Sequence, residues 1–349
     1  MGKIHALFNP LSANKLGEEK ANKLIGFFPN DAIIDFVDIT KLTDYEGFVK
    51  GLSPDDKIVV CGGDGTVNRF ANEVYNFNIE NDILYFATGS GNDFLRDLEK
   101  TPDDGPVKIN EHIKRLPVVT VKDKSYRFIN GVGYGIDGYC CEVGDRMRNS
   151  SAKAINYTSI AIKGLLFHYK PTNAVVTVDG ERHEFKKVWI APTMVGRYYG
   201  GGMMPAPNQR REDREDHVSL SLLFGTGKLK TLMIFPSIFK GEHVKNTNNV
   251  KIFTGHRITV EFDRPAALQI DGETILDVSS YEVMSPVFAE AFDAIQEDTV
   301  MVDTDELKEE PVSVDTDEPN EEPARVDTDE LIAEIMADAD KSEKELVTE

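Results

Sequence analysis

The first third of the chain alternates short apolar runs with segments whose apolar residues recur at helical spacing. Each run closes on a polar or glycine-rich turn; the runs are Ile4–Phe8, Ala32–Ile39, Ile58–Cys61 and Ile83–Ala87. Between them, Gly17–Phe27 and Tyr45–Leu52 show the period of amphipathic helices. Continuous apolar runs predict strands buried on both faces. We therefore expect a mainly parallel sheet with helices on both sides over residues 1–120.

From about Pro117 the pattern changes to short alternating or β-branched runs separated by turn residues. These runs are Val118–Lys122, Ser125–Asn130, Ala174–Val178, Arg182–Trp189, Val218–Phe224, Arg257–Phe262 and Ala267–Ile270. Alternation with tight turns predicts an antiparallel β-sandwich domain over residues 121–296. One helical segment, Ser151–His168, interrupts it. A last helix, Val287–Ile295, is expected to pack back on the first domain.

Residues 297–349 differ from the rest of the chain in composition. They carry 21 acidic and 4 basic residues, a net charge of −17. Because the whole chain has a net charge of −21, residues 1–296 carry only −4. The segment Val302–Glu306 recurs at Val314–Glu318 and Val326–Glu330. Such an acidic repeat cannot bury enough apolar surface to fold, which predicts a disordered tail. Its Asp-x-Asp spacing lacks the glycine and the distal glutamate of a calcium-binding loop.

The composition also excludes several classes of protein. No basic stripe indicates nucleic-acid binding. The chain has three cysteines, two of them adjacent, which cannot form a disulfide framework. No stretch approaches the roughly 18 uncharged apolar residues of a membrane span, and no signal peptide is recognised. We expect a soluble, cytoplasmic protein.

The strongest local signal for chemistry is the turn that follows Ile58–Cys61. It reads Gly62-Gly63-Asp64-Gly65-Thr66, and helical spacing begins directly after it. Glycines allow close backbone approach to a ligand, and free N–H groups at a helix N-terminus attract phosphate. Asp64 would repel phosphate unless a cation lies between them, which favours a role beside Mg²⁺. The alternative is a plain strand-to-helix turn in which Asp64 is a helix N-cap.

Six separated motifs together resemble the diacylglycerol kinase catalytic-domain family, which includes bacterial lipid kinases and the sphingosine and ceramide kinases. The motifs are Asn9-Pro10-x-Ser12, Gly62–Asn68, Thr88–Arg96, Asn130–Asp137, Gly200–Met203 with Ala206-Pro207, and Asp271-Gly272-Glu273. The resemblance runs from Ile4 to about Glu290. It implies a Rossmann-like three-layer α/β domain of the NAD kinase and diacylglycerol kinase type, followed by an antiparallel β-sandwich domain.

The resemblance also implies ATP- and Mg²⁺-dependent phosphorylation of a lipid hydroxyl. The residues implied to bind the nucleotide are Asn9, Pro10, Leu11, Ser12, Ala13, Thr40, Gly62, Gly63, Asp64, Gly65, Thr66, Val67, Asn68 and Ser90. Glu273 falls where the family places its proton acceptor, and Asp271 and Asp64 complete the catalytic group. Asn92 and Asp93 are expected at the lipid head group.

A structural Mg²⁺ site is the least supported of these expectations. Relatives that bind this ion carry Asp-Asp-Gly before a strand, whereas this chain has Arg210–Asp216, a charged run without the glycine. Asp213 is the ungapped counterpart of the liganding aspartate, and Asp216 is the counterpart if one gap is allowed. The run also fits a solvated charged loop.

Diacylglycerol, giving phosphatidic acid, is the favoured substrate. A sphingoid base, phosphatidylglycerol or a polyprenol fits the same chemistry. A kinase of a soluble substrate and a catalytically silent lipid-binding regulator are the other classes of protein that remain. The segment Asn92-Asp93-Phe94 argues against the soluble-substrate kinase. Retention of Asp64 and Glu273 argues against the silent regulator. Expected partners are ATP, a lipid, a membrane inner face contacted peripherally and transiently, and a second copy in a homodimer.

Overall fold

A computed structural model describes residues 2–89, 91–150, 157–211 and 216–290, with the side chains of residues 13, 14, 148–150 and 158 left out. The described residues belong to one compact unit. The acidic repeat, and residues 291–295 of the expected last helix, lie outside them; residues 286–290 are helical. Among the described residues, no helix is long and apolar enough to cross a membrane.

The amino-terminal part contains a five-stranded sheet in the order β2-β1-β3-β4-β5. Its strands are β1 (Ile4–Phe8), β2 (Ile34–Asp38), β3 (Lys57–Gly62), β4 (Asp82–Ala87) and β5 (Val107–Lys108). The first four run parallel, and β5 is antiparallel to β4. Its helices are α1 (Ser12–Lys15), α2 (Gly17–Ala21), α3 (Tyr45–Lys50), α4 (Asp64–Val74), α5 (Asp93–Asp97) and α6 (Asn110–Lys114), with 3₁₀ turns at Asn22–Phe27 and Pro102–Asp104.

The central strand β3 explains the three layers of this domain. Ile58 and Val60 face one apolar core, whereas Val59 and Cys61 face a second core on the other side of the sheet. All four side chains are essentially inaccessible to solvent. Because successive side chains of a strand point to opposite faces, a continuous apolar run requires a helical layer on each side. The predicted α/β fold is confirmed.

The carboxyl-terminal part contains a ten-stranded sheet that pairs antiparallel throughout. Its strands are β6 (Val118–Val121), β7 (Lys124–Arg127), β8 (Gly131–Tyr134), β9 (Thr172–Val178), β10 (Glu181–Ile190), β11 (Thr193–Met194), β12 (Val218–Phe224), β13 (Val250–Gly255), β14 (Arg257–Ile270) and β15 (Glu273–Met284). The order is β7-β6-β15-β14-β8-β11-β12-β10-β9, and β13 pairs with β12. The predicted antiparallel β domain is confirmed.

Strand β14 closes this sheet on itself. Its first half pairs with β9 and its second half with β8. The register shifts between Glu261 and Ala266, around Pro265, and a bulge there lets one strand bend between the two halves. The runs Arg257–Phe262 and Ala267–Ile270, expected as two strands, are therefore one strand that bends at its proline.

Helices cover one end of the β domain. They are α7 (Ile136–Ser150), α8 (Tyr157–Lys163), a π-helical turn at Gly164–His168, α9 (Lys228–Ile234) and 3₁₀ turns at Phe235–Lys240 and Glu242–Lys245. Ile160, Leu165, Ile234 and Phe235 share one apolar cluster, and the π-helical turn packs against α9, where Lys228 donates to the Leu166 carbonyl. Of the expected helix Ser151–His168, residues 157–168 are helical and residues 151–156 lie outside the described ones; helix α7, which the sequence analysis did not predict, precedes them.

Candidate active site at the carboxyl edge of the parallel sheet

The glycine turn lies at the edge where β1 to β4 end. The carbonyl oxygen of Gly62 accepts the N–H groups of Thr88 and Gly89 at 2.8 and 3.1 Å, which joins the turn to the loop after β4. A Cβ on Gly89 would lie 2.5 Å from the Cα of Gly63, so two backbones touch where no side chain fits. In the described part of the chain, the N–H groups of Asp64 and Gly65 have no acceptor. They remain available to an anion.

Asp64 connects this turn to the next one. Its carboxylate accepts the N–H groups of Asp93 at 2.7 Å and Phe94 at 3.2 Å. The side chain therefore caps helix α5 rather than its own helix α4. Burial raises the pKa of Asp64, whereas the two N–H groups and the Arg211 guanidinium oppose that shift. A half-buried carboxylate at an anion-binding turn is well placed to share a cation with a phosphate.

Asp93 connects the loop after β4 to the β domain. One carboxylate oxygen accepts the N–H of Gly201 at 2.7 Å. The other, Oδ1, is buried and has no hydrogen-bond partner among the described residues. Burial, opposed by the Gly201 N–H and reinforced by the nearby Asp64 carboxylate, raises the pKa of Asp93 to about 7. Asn92, which adopts a left-handed conformation at φ 37°, donates to the carbonyl of Gly89 at 3.1 Å.

The hairpin between β14 and β15 reaches the same region from the β domain. The carboxylate of Asp271 accepts three N–H groups, those of Ile129, Asn130 and Gly131, at 2.6 to 3.0 Å. Burial raises the pKa of Asp271 to about 6 against the effect of those donors. Glu273, two residues later, is exposed and does not line the cleft, whereas Asp271 and Gly272 do.

Asp64, Asp93 and Asp271 line a cleft of about 340 Å³. The apolar wall of the cleft comes from α7, α8, β10, the loop at 199–203 and the 3₁₀ turn after α9; it consists of Ile136, Cys140, Ala161, Ile190, Met203, Phe235 and Phe239. One cleft therefore brings carboxylates beside a surface suited to hydrocarbon. Of the predicted catalytic residues, Asp64 and Asp271 meet here and Glu273 lies just outside.

Asp137 is a cleft residue that was not among the predicted site residues. Burial raises the pKa of Asp137 to about 7, and its Oδ2 accepts a hydrogen bond from the Tyr199 hydroxyl at 3.1 Å. A Cβ on Gly133 would lie 1.9 Å from that same oxygen, which explains a glycine in the middle of β8. The sequence did contain an indication of a role for Asp137, because this residue ends the Asn130–Asp137 motif.

The remaining predicted nucleotide residues that the structure describes lie in the loops after β1 and β2 and on α4. The Asn9 side chain accepts the N–H of Leu11 at 2.9 Å, and the Ser12 hydroxyl donates to the Asn9 carbonyl at 2.8 Å, which fixes the loop after β1. Thr40 follows β2, is exposed and donates to Asp38 at 2.6 Å. Asn68 is half-buried on α4. Ser90 and the side chain of Ala13 lie outside the described residues. These loops share one edge because β1 to β4 are parallel.

Lys20 is another residue that the sequence motifs did not single out. Its ammonium group donates to the carbonyl of Thr88 at 3.1 Å. It therefore brings a positive charge from α2 to the loop that contacts the glycine turn. Lysine is a common phosphate partner, because its ammonium group acts as a point charge. Only the folded chain shows this proximity, since 68 residues separate the two.

A buried cluster of charges joins the two domains. Asp97 accepts the backbone N–H of Arg197 at 2.9 Å, its Nε at 3.1 Å and the Nε of Arg211 at 3.0 Å. The side chains of Asp97 and Arg211 are only 2% and 7% exposed. Arg211 also donates to the Ile129 carbonyl and to the Asn130 side chain. At Arg211 the charged run is therefore part of the interior rather than a solvated loop.

The structure does not decide the structural Mg²⁺ site. Asp213 lies outside the described residues. Asp216 accepts from the Arg115 guanidinium at 2.7 Å, beside the pair that Arg115 forms with Glu290. The prediction that Asp213 or Asp216 holds a structural Mg²⁺ stays a prediction.

The carboxylates of the cleft fit the Mg²⁺ that accompanies a nucleotide. Mg²⁺ prefers oxygen ligands and usually takes one or two carboxylates together with phosphate oxygens and waters. The unpartnered Oδ1 of Asp93 and the neighbouring Asp64 carboxylate would hold it, since a cation between them relieves their repulsion. Within the described ranges, no three His, Cys, Asp or Glu side chains form a ready metal cluster. Phosphate oxygens would have to complete the coordination.

The raised pKa of Asp93 predicts that stability changes with pH in a defined direction. Between its ordinary value of 3.8 and about 7, the folded state keeps a proton that the unfolded state has released. The free energy of unfolding contributed by this group is therefore greatest at low pH and falls by up to about 1.4 kcal/mol per pH unit across that window. Urea unfolding of the wild type and Asp93→Asn at about pH 5 and about pH 8 isolates the effect. A wild-type minus variant difference that does not change with pH would contradict the assignment.

The fold joins a parallel-sheet α/β domain to an antiparallel β domain, and residues of both line the cleft. Residues 3–121 match the family model of the diacylglycerol kinase catalytic domain. Residues 130–290 match the YegS C-terminal NAD kinase beta sandwich-like domain. The chain belongs to the diacylglycerol kinase catalytic-domain family and is a lipid kinase. The predicted family and enzyme class are confirmed, while the division between residues 120 and 121 and the residue roles stay predictions.

Individual relatives agree with this assignment. The chain is 25% identical over 260 residues to the diacylglycerol kinase of Mycobacterium tuberculosis (strain ATCC 25618 / H37Rv), over 70% of this chain and 81% of the relative. A crystal structure of a diacylglycerol kinase from Bacillus anthracis str. Sterne has a TM-score of 0.52 and 19% identity, over 82% of this chain and 94% of that chain. At that identity, the structural likeness establishes the fold alone.

Proposed function

We propose that this lipid kinase transfers the γ-phosphate of ATP, bound with Mg²⁺, to the hydroxyl of diacylglycerol and so forms phosphatidic acid. The observation that carries the proposal is a cleft lined both by the carboxylates of Asp64, Asp93 and Asp271 and by an apolar wall. A relative named diacylglycerol kinase supports the choice of lipid. Access to such a lipid requires peripheral, transient contact with a membrane.

The nucleotide would bind across the loops at the carboxyl edge of the parallel sheet. The N–H groups of Asp64 and Gly65 would receive phosphate oxygens, and Lys20 would add positive charge nearby. Mg²⁺, when bound, supplies charge neutralisation at the transferred phosphoryl group. The protein's own part is to hold the phosphates and the lipid hydroxyl in line, because phosphoryl transfer depends on positioning and electrostatics.

The lipid head group would lie at Asn92 and Asp93, with its acyl chains against the apolar wall. Glu273 would accept the hydroxyl proton during transfer, since it follows the hairpin turn whose Asp271 and Gly272 line the cleft. Asp271 cannot easily share that role while its carboxylate accepts three N–H groups. Its contribution would be to hold the hairpin against the loop at 129–131.

A lipid-panel assay tests the proposed substrate. Radiolabelled ATP and Mg²⁺ are supplied with diacylglycerol, a sphingoid base, phosphatidylglycerol or a polyprenol, and label is measured in the lipid extract. We expect label in phosphatidic acid and far less in the other products. Preferential labelling of another lipid would replace diacylglycerol as the substrate. No label in any lipid would favour a lipid-binding regulator that keeps the fold.

Replacing Glu273 with glutamine should lower turnover by about 10²–10⁴-fold, because the hydroxyl proton then has no carboxylate acceptor. Glu273 is exposed, so the fold should be unaffected. Asp277→Asn, an exposed acid on the same strand, is the matched control. Turnover of diacylglycerol by each variant is the measurement. Full activity in Glu273→Gln would remove this residue from the reaction.

A further inference from the structure

Two long stretches of the sequence contain no acidic residue, although the chain has 60 of them in 349 positions. The first is 146–178 and the second is 217–241. The described parts of both stretches meet in the fold. The ammonium group of Lys228 donates to the carbonyl of Leu166 at 2.6 Å, and residues of both stretches share one apolar cluster. Two stretches without acidic residues therefore lie side by side in the fold.

The surface that these stretches form is apolar and exposed. Helix α9 buries Thr231 and Ile234 but exposes Leu229 and Met233, at 70% and 67%, one turn apart on the same face. Phe167, in the π-helical turn that contacts α9 through Lys228, is 54% exposed. Large apolar side chains grouped in this way are uncommon on a soluble surface and mark an interaction site.

Exposed lysines surround these apolar side chains. Lys228 and Lys230 flank Leu229, and Lys240 follows Phe239. The next acid along the chain, Glu242, is paired with Lys245 at 2.8 Å. An apolar face edged by lysines matches the boundary between head groups and acyl chains of an anionic membrane, to which each basic residue contributes about 1 kcal/mol.

The surface lies next to the cleft, which relates it to the lipid substrate. Phe235 and Phe239, in the 3₁₀ turn that continues α9, line the apolar wall of the cleft. Phe239 is also 39% exposed, so it lies at the mouth. A bilayer held against α9 would therefore be adjacent to the opening through which acyl chains must pass.

We propose that Phe167, Leu229, Met233, Lys228, Lys230 and Lys240 form a docking surface for the face of an anionic phospholipid bilayer. The lysines contact anionic head groups while Leu229, Met233 and Phe167 enter the interface. This inference extends the proposed function, because it states how a kinase without a described membrane-spanning helix reaches a lipid substrate. Binding to the bilayer itself requires neither ATP nor turnover.

Vesicle flotation of the full chain without ATP tests this surface directly. Vesicles of equal parts phosphatidylserine and phosphatidylcholine are compared with phosphatidylcholine alone. We expect the wild type to float with the anionic vesicles. Leu229→Glu combined with Met233→Glu, and separately Lys230→Glu combined with Lys240→Glu, should each lower the bound fraction about tenfold or more. Ile33→Glu and Leu276→Glu, exposed apolar residues outside both stretches, should bind like the wild type.

Turnover separates failure of this inference from failure of the proposed function. With vesicle-embedded diacylglycerol, the surface variants should lose activity; with a dispersed short-chain diacylglycerol, they should match the wild type. Equal flotation of wild type and variants, or equal wild-type binding to neutral vesicles, would overturn the docking surface and leave the kinase proposal standing. A wild-type dimer that dissociates in the Leu229→Glu variant would assign the face to a second copy and overturn the membrane proposal.

Discussion

Replacing Asp64 with asparagine is expected to lower phosphoryl transfer by about 10²–10³-fold while the protein stays folded. The carboxylate offers one oxygen to the N–H of Asp93 and the other to the N–H of Phe94. Asparagine keeps one acceptor and turns a donor toward the second N–H. It also removes the charge that would share Mg²⁺ with the phosphates. Both the position of the loop after β4 and the electrostatics of the cleft therefore change.

The stability of this variant should change much less than its activity. Burial raises the pKa of Asp64, so loss of its charge relieves an unfavourable desolvation that offsets the lost hydrogen bond. Asp103→Asn, an exposed acid in the same domain, is the matched control for activity. Label transfer to lipid is measured across a series of Mg²⁺ concentrations, alongside urea unfolding. Wild-type turnover in Asp64→Asn at limiting Mg²⁺ would contradict a role for this residue in the reaction.

The parts of the fold that follow from local pattern could be predicted from the sequence. Strand β3 is an apolar run ending in glycines, and nothing but a buried strand and a tight turn satisfies that combination. The glycine turn, helix α4 and the paired hairpins of the β domain have the same local origin. Patterns of this kind depend on residues that are close in the sequence, so the sequence alone predicts them.

The parts that could not be predicted depend on distant neighbours. Strand β8 contains Gly131 and Gly133, which weaken the strand pattern, yet it forms a strand because it pairs with β11 and β14. The glycine at 133 leaves the room that Asp137 occupies. Helix α7 begins two residues after β8 and has few apolar residues in its first turn. Its start therefore shows no helical spacing of apolar residues in the sequence. The capping of α5 by Asp64 joins residues 29 apart, and its sequence signal is identical to that of an ordinary N-cap.

Another contact between residues distant in the sequence leads to the largest expected loss of stability, in the Asp97→Asn variant. Asp97 and Arg211 are separated by 114 residues, and the contact crosses from α5 to the β domain. Asparagine leaves the buried Arg211 without its paired carboxylate, while Arg197 keeps only the exposed Glu99 at 3.4 Å. Removing one partner of a buried ion pair costs about 3–5 kcal/mol, because the remaining charge stays desolvated. The exposed pair of Lys50 with Glu46 gives the contrast, since Glu46→Gln should cost less than about 0.5 kcal/mol.

This cluster should also determine whether the two domains unfold together. The chain has a single tryptophan, Trp189, which is buried in the β domain and donates to the Thr226 carbonyl at 3.0 Å. In the wild type we expect urea transitions followed by Trp189 fluorescence and by far-ultraviolet circular dichroism to coincide. In Asp97→Asn the fluorescence and circular dichroism transitions should occur at different urea concentrations, because the ion pairs of Asp97 with Arg197 and Arg211 no longer hold the domains together. Arg211→Met added to Asp97→Asn should recover part of the loss, since it removes the unpaired charge. Coincident transitions at the wild-type midpoints in Asp97→Asn would show that the charge cluster does not couple the unfolding of the two domains.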